Sequence, residues 1–252
     1  MVYKFGLIGE KLGHSYSKDL HNKIMSESGI LGTYELIEIP ISSFSYDFPK
    51  LLKKDYNGFN VTIPYKESVI PFLDGLSESA RKIGAVNTIS IKNGETFGLN
   101  TDYDGFLEIF IRNSINIKGK TAAVLGYGGA AKAVTLALCD EGIKSIDIII
   151  RDKTQAKSIT NSDNNFLTFN EFNMNSNYYD FIINCTPVGM FPNVMESPLP
   201  KYTIKASFVF DLIYNPEETL LLSYSKELGI RCFNGMEMLL AQALKSEEIW
   251  LK

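Results

Sequence analysis

Residues 122–138 read AAVLGYGGAAKAVTLAL, a glycine-rich turn between an apolar strand and an apolar helix. Gly126, Gly128 and Gly129 let the chain turn tightly and bring backbone N–H groups to a phosphate at the positive end of the helix. Ala131 stands where the helix must pack closely on the strand. Because a second strand follows in order, we predict a dinucleotide site here rather than a purely structural turn.

The second half of the chain continues this alternation of apolar strands and helical segments. The apolar runs are KTAAVLG (120–126), SIDIIIR (145–151), YDFIINCT (179–186) and SFVFDLIY (207–214). Such runs are typical of buried parallel strands joined by right-handed crossovers. We therefore expect a doubly wound, Rossmann-type domain over residues 102–235, which begins with an amphipathic helix at 102–116. The polar NSDNN segment (161–165) is expected to be a surface loop.

The first hundred residues predict a smaller α/β domain over residues 1–101. Expected strands lie at 4–9, 33–39, 58–63, 86–92 and 94–100, and expected helices at 17–28 and 43–54. Ser17 is the expected N-cap of the first helix. Asn93–Gly94 carries the signal of a tight hairpin turn. The strongly apolar helix at 236–251 is expected to pack back across both domains, so that segment 236–252 joins the first domain, with a cleft between the two.

Composition excludes several classes of function. The 252 residues are 45% hydrophobic and 21% charged, which is ordinary for a globular protein, and the net charge is −4. Without clustered Lys and Arg we expect no binding to nucleic acid. No stretch of about 18 apolar residues occurs, so we expect no export or membrane insertion and a cytoplasmic protein.

The cysteines and histidines do not predict a metal site or a disulfide framework. Cys139, Cys185 and Cys232 are widely spaced and odd in number, which indicates free thiols. His14 and His21 are the two histidines, too few to supply a zinc site well, and we interpret both as structural.

The end of the second strand of the Rossmann-type domain gives conflicting signals about the cofactor. Arg151 could bind a 2′-phosphate with its planar guanidinium, which indicates NADP. Asp152 could accept hydrogen bonds from a free 2′-hydroxyl, which indicates NAD. As exposed loop charges, the two residues would report on neither cofactor.

Eight motifs spread over the chain resemble those of the shikimate dehydrogenase family, in the family's order and spacing. They are GHSYS (13–17), FNVTIPYK (59–66), GAVNT (84–88), NTDYDG (100–105), GYGGAA (126–131), INCTPVGM (183–190), DLIYNPEET (211–219) and NGMEMLLAQA (234–243). The resemblance implies NADP-dependent, reversible reduction of 3-dehydroshikimate to shikimate. The expected binding partner is this small-molecule substrate, and the protein is expected to be a monomer or a homodimer. The resemblance also implies that the substrate lies in the cleft between the domains.

The resemblance also implies a role for individual residues. Lys66 and Asp102 would be the catalytic pair, with Lys66 either donating a proton or acting as a fixed positive charge; a simple salt bridge is the alternative. Substrate would be bound by Ser15, Ser17, Thr62, Lys66, Asn87, Asp102, Tyr214 and Gln242. Cofactor would be bound by Glu78, Gly126, Tyr127, Gly128, Gly129, Ala130, Arg151, Thr186, Met190, Ile213 and Gly235.

The sequence departs from the family's pattern at three places. Lys18 stands where the family usually has a proline that pre-organises the helix start. Ile150 and Asp152 replace the hydrogen-bonding residues that usually flank Arg151. Tyr127 replaces a small residue inside the glycine turn, and we expect its side chain to point away from the phosphate.

Three rival functions remain open from the sequence. Asp152 favours an NAD-dependent quinate/shikimate dehydrogenase. Methylenetetrahydrofolate dehydrogenase shares the architecture, but the serine-rich and NTD motifs fit a hydroxylated carboxylate better than a pterin. A non-catalytic sensor that binds shikimate-like ligands or a dinucleotide is the third, and the presence of both Lys66 and Asp102 argues against it.

Overall fold

A computed structural model describes residues 2–13, 15–154, 165–175 and 177–252 of the chain. The chain divides into two compact units. Unit 1 comprises Met1–Gly105 and Leu239–Lys252, and unit 2 comprises Phe106–Met238. The unit boundaries fall inside two helices, which supply residues to both units.

Unit 1 is built on a mixed six-stranded sheet with the strand order β2-β1-β3-β5-β6-β4. The strands are β1 (Tyr3–Gly9), β2 (Gly32–Glu38), β3 (Gly58–Val61), β4 (Gly75–Leu76), β5 (Thr88–Lys92) and β6 (Glu95–Leu99). Strand β1 is parallel to β2 and β3, whereas β5 runs antiparallel to both β3 and β6. The helices within unit 1 are α1 (Ser17–Glu27), α2 (Phe44–Leu52) and α3 (Glu78–Ile83).

The hairpin between β5 and β6 confirms the prediction from Asn93–Gly94. Lys92 pairs with Glu95, which leaves a two-residue turn. Asn93 has φ 54° and Gly94 has φ 84°. Left-handed conformations at both central residues match the right-handed twist of the flanking strands, and Asn and Gly adopt them with little strain.

Trp250 closes one side of the unit 1 sheet from the last helix of the chain. Its ring stacks on Phe5, with the ring centroids 4.4 Å apart, and its Nε1 donates to the carbonyl oxygen of Ile89 at 2.9 Å. A Cβ atom on Gly58 would lie 2.2 Å from Trp250 Nε1. The glycine at position 58 therefore makes room for the indole on the sheet.

Unit 2 is built on six parallel strands in the order β12-β11-β10-β7-β8-β9. The strands are β7 (Thr121–Leu125), β8 (Ser145–Ile150), β9 (Asn165–Thr168), β10 (Tyr179–Asn184), β11 (Ala206–Asp211) and β12 (Arg231–Phe233). Counted from β7, this is the Rossmann order 3-2-1-4-5-6, whose switch point lies between β7 and β10. The predicted fold class is confirmed.

Helices α4 to α8 complete the fold. They are α4 (Asp102–Arg112), α5 (Gly129–Asp140), α6 (Phe169–Met174), α7 (Leu220–Glu227) and α8 (Met236–Leu251). The buried face of α4 contains Phe106, Ile109 and Phe110, which agrees with the predicted amphipathic character of this helix. The helix stops at Arg112 instead of residue 116 because Ser114 has φ 52°, a left-handed conformation that ends it. Among the described residues, no helix is long and apolar enough to cross a membrane.

Two further local predictions concern the start of α1 and the polar segment 161–165. Ser17 is not the N-cap of α1: Tyr16 holds that position, and Ser17 donates its backbone N–H to Ser15 Oγ at 3.2 Å. The cap hydroxyl therefore comes from two residues earlier in the chain. The expected loop at 161–165 lies outside the described residues except for Asn165, which begins the edge strand β9.

Candidate active site

The topology of unit 1 gathers the candidate substrate residues at one edge of its sheet. Parallel strands β1 and β3 end there, and the antiparallel pairing means that β5 begins and β6 ends at the same edge. The segments that leave these strand ends carry Ser15, Ser17, Thr62, Lys66, Asn87 and Asp102. Residues far apart in sequence therefore meet because of strand order.

Lys66 and Asp102 form an ion pair at this edge. Lys66 Nζ lies 2.6 Å from Asp102 Oδ2, and the side chains are 16% and 2% exposed, respectively. Asp102 is the first residue of α4, where the helix dipole favours a carboxylate. Its backbone N–H donates to Asn100 Oδ1 at 3.1 Å, which fixes the start of the helix. Asp102 therefore fixes the position of the Lys66 ammonium group, and the lysine side chain remains partly exposed to solvent.

Asn87 connects the start of β5 with α8. Its Nδ2 donates to Gln242 Oε1 at 3.1 Å, and its Oδ1 accepts the backbone N–H of Thr101 at 2.7 Å. Gln242 Nε2 has no hydrogen-bond partner among the described residues. Both amides are thus held in fixed orientations, and Gln242 keeps two donors for a ligand.

A polar network behind Asn87 was not predicted from the sequence. Thr88 Oγ1 lies 3.0 Å from Ser246 Oγ, and Asn60 Nδ2 donates to the same hydroxyl at 2.9 Å. Asn60 Oδ1 accepts the hydroxyl of Tyr34 at 2.7 Å. The alternation of apolar with polar residues in FNVT (59–62) was the available signal for Asn60, because it places Asn60 on the opposite face of the strand from Phe59 and Val61.

His21 lies beside this network in a buried pair with Glu247. His21 Nδ1 is 2.7 Å from Glu247 Oε1, and the imidazole stacks on Tyr34 at 4.1 Å between centroids. Glu247 Oε2 is buried without a hydrogen-bond partner among the described residues. The contact joins α1 to α8, which supports the structural interpretation of His21. His14 lies outside the described residues.

Ser15, Ser17 and Thr62 supply three hydroxyl groups near the ends of β1 and β3. Ser15 Oγ donates to Ser17 Oγ at 3.1 Å, so these two hydroxyls point toward each other. Thr62 donates its backbone N–H to the carbonyl oxygen of Ile8 at 2.9 Å. Hydroxyl groups of this kind bind a carboxylate without adding charge.

The glycine turn of unit 2 has the conformation that an anion site needs. Gly126 has φ 93°, and Gly128 is the N-cap of α5. The first intrahelical hydrogen bond runs from Lys132 N to Gly128 O, so the N–H groups of Gly129, Ala130 and Ala131 have no acceptor within the helix. No atom of the described residues lies within 4 Å of where a Cβ on Gly128 would stand. Open space and three free donors fit a dinucleotide phosphate.

Tyr127 packs sideways from this turn. Its ring meets Phe166 of β9 edge to face, with the centroids 5.7 Å apart, and Lys132 Nζ lies 5.7 Å from the Tyr127 centroid. The side chain thus contacts the neighbouring edge strand. Aromatic packing of this kind accommodates the bulky residue in the turn.

The charges after β8 have different surroundings. Asp152 Oδ1 accepts the backbone N–H of Thr154 at 2.9 Å, and Oδ2 accepts its hydroxyl at 2.7 Å. Lys153 Nζ pairs with Glu171 Oε1 at 2.6 Å. Arg151 is exposed and makes no ion pair within the described residues. Of the three charged side chains, Arg151 is therefore the one left for a ligand.

The loops after β10 and β11 carry Thr186, Met190, Ile213 and Tyr214. Thr186 donates both its N–H and its hydroxyl to Asn184 Oδ1, at 3.0 and 2.7 Å. Gly235 packs against this region so closely that a Cβ atom there would lie 2.1 Å from the carbonyl oxygen of Leu212. These loops leave the sheet beside its switch point, where dinucleotides bind in such folds.

Glu78 and Tyr214 each belong to a different unit from most of the residues that are predicted to bind the same ligand. Glu78, expected near the cofactor, belongs to unit 1, where it begins α3 and pairs with Lys82 at 2.8 Å. Lys82 holds the pKa of the exposed Glu78 carboxyl below its ordinary value. Tyr214, expected near the substrate, belongs to unit 2.

The strand order of unit 2 and the glycine turn after β7 define an α/β dinucleotide-binding protein. Residues 7–89 match the family model for the shikimate dehydrogenase substrate binding domain, and residues 116–215 match the NADPH-binding domain of acetohydroxy acid isomeroreductase. The shikimate dehydrogenase (NADP(+)) of Clostridium perfringens is 42% identical over 249 residues, covering 98% of this chain and 91% of that relative. The chain belongs to the shikimate dehydrogenase family.

Solved structures agree with this assignment. Shikimate dehydrogenase 1 from Peptoclostridium difficile has a TM-score of 0.94 and 39% identity, covering 99% of this chain and 92% of the other. The shikimate 5-dehydrogenase from Thermus thermophilus in complex with NADP(H) and shikimate has a TM-score of 0.87 and 30% identity, covering 98% and 93%. Both similarities extend over nearly the full length of this chain.

Proposed function

We propose that this protein is an NADP-dependent shikimate dehydrogenase that interconverts 3-dehydroshikimate and shikimate. The contact of 2.6 Å between Lys66 and Asp102 carries the proposal, because it places a proton donor and its orienting carboxylate among hydroxyl and amide groups. Residues 1–101 with the helix 236–252 would bind the substrate, and residues 102–235 would bind NADP. The matches of residues 7–89 to a substrate binding domain and of residues 116–215 to an NADPH-binding domain support this division.

Lys66 would act on the carbonyl oxygen of 3-dehydroshikimate. When bound, NADPH supplies the hydride that reduces the carbonyl carbon. Negative charge develops on the oxygen as this occurs, and the ammonium group of Lys66 stabilises it and donates the proton that completes the alcohol. Asp102 keeps Nζ in place during the transfer. In the direction of oxidation, Lys66 accepts the hydroxyl proton.

The remaining polar groups of unit 1 would bind the substrate and orient its carbonyl group toward Lys66. The Ser15 and Ser17 hydroxyls would bind its carboxylate, supported by Thr62. Asn87 and Gln242 would hydrogen-bond the ring hydroxyls, because their amides are held by each other at 3.1 Å. Tyr214 is a further predicted contact. Uncharged groups of this kind suit a polyhydroxylated acid.

The residues of unit 2 fit NADP. The N–H groups at the start of α5 would bind the diphosphate, since no described atom fills the space at Gly128. Thr186, Met190, Ile213 and Gly235 would line the nicotinamide end. Glu78 remains a predicted cofactor contact.

The surroundings of Arg151 and Asp152 support NADP over NAD. Both carboxylate oxygens of Asp152 accept hydrogen bonds from Thr154 within the same turn. The argument for NAD required those oxygens for the ribose 2′-hydroxyl. Arg151 makes no ion pair within the described residues, so its guanidinium can bind a 2′-phosphate in bidentate geometry.

Initial rates with shikimate or quinate, each with NADP or NAD, test the proposal. We expect the highest kcat/KM with shikimate and NADP. A higher kcat/KM with quinate and NAD would replace the proposal with the quinate/shikimate dehydrogenase, and ligand binding without turnover would replace it with the sensor.

A cytoplasmic location belongs to the same proposal. The three cysteines are free thiols, as is usual in reducing compartments. Cell fractionation with antibody detection tests this, and recovery of the protein outside the cytoplasmic fraction would contradict it.

A further inference from the structure

We propose that Asp211 is a positioning residue for the cofactor: its carboxylate keeps the loops after β10 and β11 in the shape that receives the nicotinamide end of NADP. The inference rests on the proposed function for the identity of the ligand. Asp211 ends β11 and does not belong to the residues assigned to binding or catalysis above.

The Asp211 carboxylate is a buried junction of three chain segments. The residue is 1% exposed. Its Oδ1 accepts from Asn184 Nδ2 at 2.9 Å and from the backbone N–H of Ile213 at 3.1 Å. Its Oδ2 accepts the hydroxyl of Thr219 at 2.6 Å. One side chain therefore connects the end of β10, the loop after β11 and the start of α7.

Each of these connections leads to the cofactor site. Asn184 Oδ1 accepts two hydrogen bonds from Thr186, and a Cβ on Gly126 would lie 3.0 Å from Thr186 Cγ2. Thr186 thus packs against the glycine turn. The carbonyl oxygen of Ile213 accepts the backbone N–H of Gly235 at 3.0 Å. Loops after β7, β10, β11 and β12 are therefore held together around one carboxylate.

Thr219 shows why the acceptor must be a carboxylate rather than an amide. Its hydroxyl donates to Asp211 and also accepts the backbone N–H of Leu222, as the N-cap of α7. An Asn at position 211 has one acceptor oxygen and one NH2 group. With the NH2 toward Thr219, one of the three hydrogen bonds is lost, and with the NH2 toward Asn184 and the Ile213 N–H, two are lost.

The ionisation of Asp211 gives the hypothesis a distinctive pH dependence. Burial raises the pKa of Asp211 to about 6, although the hydrogen bonds from Thr219, Ile213 and Asn184 lower it. Asn184 from β10 and Thr219 from the start of α7 face the carboxylate, and neither titrates. Among the described residues no charged side chain contributes to this shift. The carboxylate form prevails above about pH 6, and the protonated form below it.

The test measures the Kd for NADP from pH 5 to pH 8 in the wild type and in Asp211→Asn. We expect Asp211→Asn to bind NADP about tenfold more weakly at pH 8, the effect of one lost charge-assisted hydrogen bond. Other groups that titrate between pH 5 and pH 8 affect both proteins equally, so their effect disappears when the Kd of Asp211→Asn is divided by the Kd of the wild type. This ratio should fall toward one at pH 5, where Asp211 is protonated in the wild type.

Asp180→Asn is the matched control. Asp180 is the second residue of β10, at the opposite end of that strand from Asn184, and accepts the backbone N–H and hydroxyl of Thr121 at the start of β7. It should leave the Kd for NADP unchanged at every pH. Equal Kd values for wild type and Asp211→Asn at pH 8, or a ratio that does not change with pH, would overturn the proposal.

Two further measurements keep the outcomes distinct. If Asp211→Asn does not fold, Thr219→Val removes one of the three donors, and unchanged NADP binding in that variant would also overturn the proposal. The KM for shikimate at saturating NADP should change less than twofold in Asp211→Asn. Weaker NADP binding in Asp211→Asn together with no turnover by the wild type would refute the proposed function but support the positioning role.

Discussion

Lys66 Nζ lies 2.6 Å from Asp102 Oδ2, although the two residues are 36 positions apart in the chain. The contact joins the segment after β3 to the first residue of α4. Removing one partner leaves the other without its counter-charge, so loss of activity and loss of stability must be measured separately.

Lys66→Met should lower kcat by about 10²- to 10⁴-fold, because the proton donor is lost while the apolar stem remains. Nicotinamide absorbance with shikimate and NADP measures the rate. Lys23→Met, which removes an exposed lysine on α1, is the control and should retain full activity.

The double variant Lys66→Met/Asp102→Asn separates the two effects. It removes the unpaired buried charge, so the melting temperature lost in Lys66→Met should be largely regained. Activity should stay as low as in the single variant. Recovery of kcat along with stability would mean that Lys66 acts as a structural salt-bridge partner.

Arg151→Ala should raise the KM for NADP about tenfold or more and leave the KM for NAD almost unchanged, because only NADP carries the 2′-phosphate. Asp152→Ala should not selectively lower activity with NAD, since its carboxylate accepts hydrogen bonds from Thr154 in the turn. Steady-state kinetics with both cofactors check this. A selective loss of NAD activity in Asp152→Ala would show that Asp152 contacts the ribose.

Gly128→Ala should weaken NADP binding without changing stability. Its φ of −85° and ψ of −174° suit alanine, and no described atom lies within 4 Å of the new Cβ. A phosphate on the N–H groups of α5 would meet that methyl group. The readouts are the Kd for NADP and the melting temperature.

Gly235→Ala is the contrasting variant, because its Cβ would lie 2.1 Å from the Leu212 carbonyl oxygen. We expect it to lower the melting temperature as well as NADP binding. If Gly128→Ala binds NADP as tightly as the wild type, the diphosphate of the cofactor does not lie at the start of α5.

Glu247→Ala should lower the free energy of unfolding by about 2 to 4 kcal/mol, because it leaves the buried His21 without its partner. Glu27→Ala breaks an exposed pair with Lys23 on the same helix α1 and should have almost no effect. Urea unfolding of both variants gives the comparison. Equal small effects would mean that the His21–Glu247 contact contributes little.

Local signals in the sequence predicted much of the fold. The glycine turn at Gly126, the Asn93–Gly94 hairpin and the extent of α8 depend on neighbouring residues, so short motifs were sufficient. Ser17 was assigned as a cap because the residue type suits the position, but the chain uses Ser15 Oγ two residues earlier. A one- or two-residue shift of this kind is not encoded in residue preference alone.

The polar networks were not predicted because they depend on strand order. Asn184 and Asp211 end neighbouring strands β10 and β11, although they are 27 residues apart. Each interrupts an apolar run, which marks a strand end but does not identify a partner. The roles of Arg151 and Asp152 were undecided for a similar reason, since the choice depends on the turn that Asp152 forms with Thr154.

Trp250 and Gln242 give unit 1 a particular order of assembly during synthesis. Unit 1 combines Met1–Gly105 with Leu239–Lys252, whereas unit 2 is continuous from Phe106 to Met238. On the ribosome, every residue of unit 2 is made before Gln242 can meet Asn87 or Trp250 can cover the sheet at Gly58. The sheet translated first is therefore the one covered last, and the proposed substrate site is complete only after all strands of the unit 2 sheet have been translated.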